Sequence, residues 1–323
     1  MINSIMKKSS EKAYIKDLER LDFSKLDNSI SEMKDISYMN DNSIEHKLDI
    51  YYKNDKKLKP IIVDIHGGGF ISSYKEMDSL FANYLAQEGF VVFNLNYRLA
   101  YPKYSVFEQI EDIARAVKWI VLNAEEYKGN INEMYIVGHS AGGVLAIAEA
   151  LLCNDEQMRN DYNIEDRNYN YKGIILDCGA MHFYQKNIAY WGMRNMVFPK
   201  GYKKMKKYHY LIFENNNKMC SLPKTVILTN ENDELRKMSY YIKQVLDDKK
   251  VNNKLYDIGF DGHMGIIFKP YTEDNKKMIR EIIKYLQIPL QRHANSANGG
   301  MVNCGSVETI DDLVMKSLEK RRV

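Results

Sequence analysis

The segment Gly138-His-Ser-Ala-Gly142 sets one serine among small residues. It follows a short apolar run, Met134–Val137, and precedes an apolar stretch with helical spacing, Val144–Leu152. A serine on a tight turn between a buried strand and a helix holds its hydroxyl up at the strand end, where it can attack a carbonyl carbon. The Ala141 N–H, at the helix start, can donate to the oxyanion that such an attack creates. A second segment, His66-Gly-Gly-Gly-Phe70, also follows a buried run, Ile61–Ile65. Consecutive glycines let backbone N–H groups turn inward at close approach, and Gly67 and Gly68 are the candidate donors. No Lys-Ser/Thr pair follows and there is no GxGxxG spacing, which argues against a phosphate cradle.

A serine hydroxyl is a weak nucleophile until a base removes its proton, and the imidazole that does so needs a carboxylate to orient it. The expected chain order after such a serine is acid, then histidine. Asn230-Glu-Asn-Asp-Glu-Leu235 and Gly259-Phe-Asp-Gly-His-Met264 each follow an apolar strand pattern. His263 is the candidate base and Asp233 the candidate acid, with Glu231 and Glu234 as flanking alternatives. The implied chemistry is two-step acyl transfer through an acyl-enzyme.

These residues need elements that bring them to one rim. Strand-like runs at 61–65, 90–95, 134–137, 173–177, 225–229 and 254–258 alternate with helical patterns at 80–88, 110–124, 144–152, 239–246 and 275–286. Such alternation predicts an α/β fold with a doubly wound, mostly parallel sheet, whose ligands sit at the carboxyl ends of the strands. Leu48, Ile50 and Tyr52 alternate with polar residues, which suggests an antiparallel strand ahead of that series. Residues 1–45 read as short helices forming a cap segment, and 46–289 as the core. Within the core, the aromatic stretch 180–222 interrupts the rhythm and reads as a lid or pocket wall. Residues 290–323 read as a polar linker and a C-terminal amphipathic helix that begins near Thr309.

Composition narrows the function classes. The 323 residues are 45% hydrophobic and 28% charged, with a formal net charge of +3, so nothing drives the chain as a whole toward nucleic acid or anionic membrane. The run Lys203-Lys-Met-Lys-Lys207 is short and reads as a solvated face. No apolar run approaches the length of a membrane span, and Met1–Lys16 lacks the apolar core of a signal peptide. The four cysteines show no metal-ligand or disulfide spacing, so a cytoplasmic location with free thiols is expected. Asp64-x-His66 lacks partners at ligand spacing, so neither metal nor cofactor is expected.

Taken together, the chain resembles the hormone-sensitive-lipase-like branch of the α/β-hydrolases, the bacterial carboxylesterases with an HGGG segment. The resemblance covers about residues 46–286 and rests on Leu48-Asp-Ile-Tyr with His66-Gly-Gly-Gly-Phe, on Asn96-Tyr-Arg-Leu-Ala100, and on Gly138-His-Ser-Ala-Gly-Gly143. It implies oxyanion donors at Gly67, Gly68 and Ala141 and a structural ion pair between Arg98 and Asp112. It also favours Asp233 in Asp233-Glu-Leu235 as the acid. Two segments depart from the family pattern: Tyr101-Pro102 stands where Pro-Glu is usual, and His263-Met-Gly265 where His-Gly-Phe is usual. The implied activity is hydrolysis of small, short-acyl carboxylic esters, with a small-molecule substrate and a homo-oligomer as an open option. An amidase, arylformamidase or peptidase of the same fold would share the triad. A non-catalytic binding module would be expected to lack the histidine.

Overall fold

The strongest apolar runs become the centre of an eight-stranded sheet. In the computed structural model, residues 2–181, 188–258 and 262–290 are described. Strands β1 (Ser31–Ser37), β2 (Lys47–Tyr52), β3 (Lys59–Ile65), β4 (Val91–Leu95), β5 (Gly129–His139), β6 (Tyr171–Asp177), β7 (Lys224–Thr229) and β8 (Asn253–Asp257) pair in the order β1-β2-β4-β3-β5-β6-β7-β8. From β4 to β8 all pairs are parallel; β1 and β2 are antiparallel to their neighbours. β3 and β4 are buried along their whole lengths, as a parallel sheet covered on both faces requires.

The helices are α1 (Ile2–Leu18), α2 (Ser79–Glu88), α3 (Val106–Asn123), α4 (Ala141–Leu152), α5 (Glu156–Tyr162), α6 (Ile188–Val197), α7 (Lys206–His209), α8 (Arg236–Asp248), α9 (Gly265–Phe268) and α10 (Glu273–Leu286). α3, α4 and α8 pack on the sheet face that carries Ile61, Val63 and Ile65. α2 and α10 cover the opposite face, where Phe81, Leu85, Ile279 and Ile282 meet Ile62, Val137 and Ile175. Each fully buried aliphatic side chain of this kind stabilises the fold by about 1.5–3 kcal/mol. Every switch from strand to helix therefore falls at one edge of the sheet, which is where the candidate residues were expected.

Three expectations need correction. Residues 1–45 are not all short helices: α1 is one long helix, and Ser31–Ser37 adds an edge strand to the sheet. β1 went unrecognised because its sequence is polar and mostly exposed. Its pairing with β2 also slips between Met33 and Ile36, where Asp35 takes φ 56°, and edge strands are polar and irregular for good reason. α3 starts at Val106, ahead of its first periodic apolar residues, because Ser105 and Glu108 form a capping box. Finally, the aromatics of the 180–222 stretch do not all face a pocket. Phe198 packs edge-on against Phe107 at 5.9 Å and stacks on Tyr202, while Trp191 is 53% exposed. His182, Phe183 and Tyr184 fall outside the described residues, as do 291–323, where the linker and terminal helix were expected. Among the described residues, no helix is long and apolar enough to cross a membrane.

Candidate active site

Ser140 links the end of β5 to the start of α4 with φ 51° and ψ −113°. For a residue with a side chain that conformation costs about 1–3 kcal/mol, so the surroundings must enforce it. The Ser140 N–H donates to Asp177 O at 2.8 Å, and the Ser140 carbonyl accepts from Ala180 N–H at 2.9 Å and Gly143 N–H at 3.0 Å. Two positions to either side of the serine, the turn has room only for glycine. A Cβ on Gly142 would lie 2.2 Å from Ile65 O, and one on Gly138 would lie 2.3 Å from Gly142 O. Ala141 is the first residue of α4, and the first N–H groups of a helix have no partner inside the helix.

The glycine loop after β3 reaches the same place. A Cβ on Gly67 would come within 3.1 Å of Ser140 Cβ. The Gly68 carbonyl accepts from the Ser72 N–H and from its hydroxyl, both at 3.0 Å. His66 stacks on Tyr97 with ring centroids 4.2 Å apart, and the Tyr97 hydroxyl donates to His66 O at 2.7 Å. Burial drives the His66 pKa down to about 4, so this imidazole is neutral and serves as packing for the loop. Behind the loop, Gln109 Nε2 donates to Phe70 O at 2.8 Å. Arg98 grips Asp112 through Nε at 2.6 Å and Nη2 at 2.5 Å, which is the ion pair expected from the sequence.

The candidate acid and the candidate base also meet. His263 Nδ1 donates to Asp233 Oδ1 at 2.8 Å. The same oxygen accepts from Leu235 N–H at 2.9 Å, and Oδ2 accepts from Thr229 Oγ1 at 3.0 Å. Burial alone would raise the Asp233 pKa, but the bonds from His263, Leu235 and Thr229 outweigh it and hold the carboxyl below its usual range. An ionised carboxylate at Nδ1 leaves Nε2 as the ring's acceptor. Asp233 receives the His263 bond in preference to the flanking alternatives, Glu231 and Glu234, which are both exposed. Asn230 Nδ2 donates to Gly262 O at 2.6 Å and Met264 N–H donates to Cys178 Sγ at 3.4 Å, so both sides of His263 are tethered.

Ser140 and His263 border one cavity of about 250 Å³, shared with Gly68, Gly69 and Met264. α1 closes it from above: Ser10, Tyr14 and Asp17 line it, the Ser10 hydroxyl lies 2.5 Å from that of Ser72, and Lys7 donates to Ile71 O. Met193 of α6 contributes to the wall. Thr229, Asn230, Cys178 and the α1 residues went unnoticed in the sequence. Only the position of Thr229 and Asn230, just before the acid loop, could have hinted at them.

Beneath the serine lies a charged cluster. His139 is fully buried, with Nδ1 2.8 Å from Asp177 Oδ2 and Nε2 3.2 Å from Asp64 Oδ1. Burial opposes its charge, yet the negative charge held by the buried carboxylate cluster, with Asp177 and Asp64 in direct contact, raises its pKa well above the histidine range. The resulting imidazolium ties the ends of β3, β5 and β6 together under the turn.

Comparison with known proteins decides the family. A family model, BD-FAE, matches residues 48–210, half of the chain. The chain belongs to the BD-FAE family. Among curated relatives, this BD-FAE chain is 31% identical over 94 residues to a probable isoprenylcysteine alpha-carbonyl methylesterase of Oryza sativa subsp. japonica, covering 29% of this chain and 22% of that one. It is 31% identical over 117 residues to the versiconal hemiacetal acetate esterase of Dothistroma septosporum, covering 36% and 33%. The chain thus spans a third or less of the length of these two relatives. Among solved structures, an inhibited esterase B from Lactobacillus rhamnosis superposes with a TM-score of 0.80 at 17% identity, over 89% of this chain and 96% of that one. A bacterial heroin esterase gives 0.65 at 19% identity, over 87% and 90%. The BD-FAE chain has the α/β-hydrolase fold.

Proposed function

We propose that this chain hydrolyses small carboxylic esters. Ser140 attacks the carbonyl carbon while His263 takes its proton, and Asp233 orients His263 and stabilises the imidazolium. The N–H groups of Gly67, Gly68 and Ala141 hold the oxyanion, each donor contributing about 3–4 kcal/mol in the transition state. His263 then protonates the leaving alcohol, and the acyl group stays on Ser140 until a water, deprotonated by the same imidazole, releases it.

One observation carries the reading. A serine in a strained turn, a glycine loop in van der Waals reach of it and a carboxylate-bound imidazole all open on the same cavity. That the relatives and structural neighbours named above are esterases supports it. Short acyl chains fit the cavity. At about 250 Å³, with α1 across its mouth, it lies at or below the lower end of the usual range for small-molecule sites. α1 and Met193 of α6 form part of its wall. The free thiols Cys153, Cys178 and Cys220 suit a reducing compartment such as the cytoplasm.

The test is hydrolysis of p-nitrophenyl esters of graded chain length by the native protein and by Ser140→Ala. The expected result is turnover that falls as the chain lengthens past a few carbons and disappears in the variant. Equal or faster cleavage of long-chain esters would overturn the short-acyl assignment. Activity that survives Ser140→Ala would overturn the mechanism.

A further inference from the structure

Among the described residues, the carboxylates and ammonium or guanidinium groups that line the cavity in front of Ser140 are of one sign. Its described lining includes two carboxylates, Asp17 of α1 and Glu234 of the loop before α8, and no lysine or arginine. Asp17 is paired with Arg20 at 2.8 Å, but that guanidinium sits over the ring of Phe268, 3.7 Å from its centroid, and does not line the cavity. Glu234 lines the cavity at its solvent-exposed side and makes no ion pair with the described residues. The polar groups cluster on the α1 side, with Ser10, Tyr14, Ser72 and Ser73. Met193, Leu235, Met238 and Met264 supply the apolar wall.

A partly closed cavity screens such a charge less than open water does. A substrate carboxylate brought near Glu234 must lose hydration and face like charge, while a substrate cation loses hydration but gains attraction. We propose that the cavity admits neutral and cationic small esters and rejects esters bearing a carboxylate, with Glu234 the main discriminating residue and Asp17 second; the proposal rests on the ester-hydrolase reading above.

The test uses three acetate esters of similar size: acetylcholine, its uncharged isostere 3,3-dimethylbutyl acetate, and the acetyl ester of 4-hydroxybutanoate. At low ionic strength the native protein should show kcat/KM at least tenfold higher for the cation than for the anion, with the isostere between them. Glu234→Gln should compress the cation-to-anion ratio by roughly threefold to tenfold. Glu231→Gln makes the same charge change in the same loop, off the cavity, and should leave the ratio in place. Fluorophosphonate labelling of Ser140 establishes that each variant is folded. An anion cleaved as fast as the cation, or a ratio unmoved by Glu234→Gln in the labelled protein, overturns the proposal while leaving the hydrolase reading intact. Failure to cleave any of the three or p-nitrophenyl acetate overturns both.

Discussion

Replacing Asp233 by asparagine separates charge from geometry at the base. The carboxylate accepts three hydrogen bonds, from His263 Nδ1 and Leu235 N–H on one oxygen and from Thr229 on the other. An asparagine can place its amide oxygen where both N–H groups point. Its NH2 then faces the Thr229 hydroxyl, which can turn to accept. The flipped amide would set its NH2 against the Leu235 N–H and force His263 into the tautomer that cannot accept the serine proton, a fault that costs about 10⁴-fold in a serine protease. The Leu235 donor selects the first orientation. What is lost is then the charge facing the imidazolium. At a separation of about 4 Å and an effective dielectric near 20 that attraction is about 4 kcal/mol, and the neutral hydrogen bond that remains returns about 1 kcal/mol. The net of about 3 kcal/mol slows turnover by roughly a hundredfold to a thousandfold, with KM little changed and Tm within a few degrees of the native value. Steady-state kinetics on p-nitrophenyl acetate, with a thermal melt alongside, checks it. A loss under tenfold in a folded variant would refute the assigned role of Asp233, and a loss of about 10⁴-fold would refute the orientation argument.

Three further predictions follow from other parts of the structure. A Cβ on Gly68 would lie 2.0 Å from Ser72 O at φ 96°, whereas one on Gly69 meets nothing within 4 Å at φ 60°. Gly68→Ala should therefore abolish activity by displacing the oxyanion loop. Gly69→Ala should cost only about 1–2 kcal/mol of stability for the left-handed backbone; thermal melts and activity assays on both variants check this. Asp78 is fully buried, and neither of its oxygens has a hydrogen-bond partner among the described residues. Burial, reinforced by Asp64 and Asp177 and opposed by His139, holds its pKa well above the carboxylate range. A carboxyl with a raised folded pKa keeps a proton that the unfolded chain releases, so its contribution to stability falls as pH rises above about 4 toward that folded pKa. Asp78→Asn should raise Tm by about 2–4 °C at pH 8 and by less at a pH of about 4.5; a lower Tm at pH 8 would contradict this. Arg98→Ala leaves the fully buried Asp112 carboxylate with the longer contacts to His46 and Arg115, both at 3.4 Å, and should destabilise the fold by about 2–3 kcal/mol in urea unfolding.

Much of the site was legible because its parts are local. The strand, the small-residue turn and the helix around Ser140 lie within one short stretch, and so do the glycines after β3. The acid and the histidine each close a strand of the alternating series, so chain order alone sent them to the same rim. Parts that depend on long-range packing were not legible. The polar edge strand β1 lacks the alternation that marks a half-buried strand, and its bulge at Asp35 hides what little there is. Aromatic content singled out the 180–222 stretch as a pocket wall, but composition cannot tell a ring that lines a cavity from one that packs on a helix, as Phe198 does on Phe107. The buried cluster draws Asp64, Asp78, His139 and Asp177 from four separate segments, and no local pattern joins them. Glu234, read in the sequence as a rival for the acid, instead lines the cavity, while its neighbour Asp233 holds His263.

The central claim is that Ser140 is the nucleophile, and covalent labelling tests it most directly. The native protein is treated with a fluorophosphonate, digested, and the modified residue located by mass spectrometry. One phosphonate per chain on Ser140, lost in Ser140→Ala and slowed in Asp233→Asn, is the predicted result. An unmodified Ser140, or modification at another serine, would contradict the account.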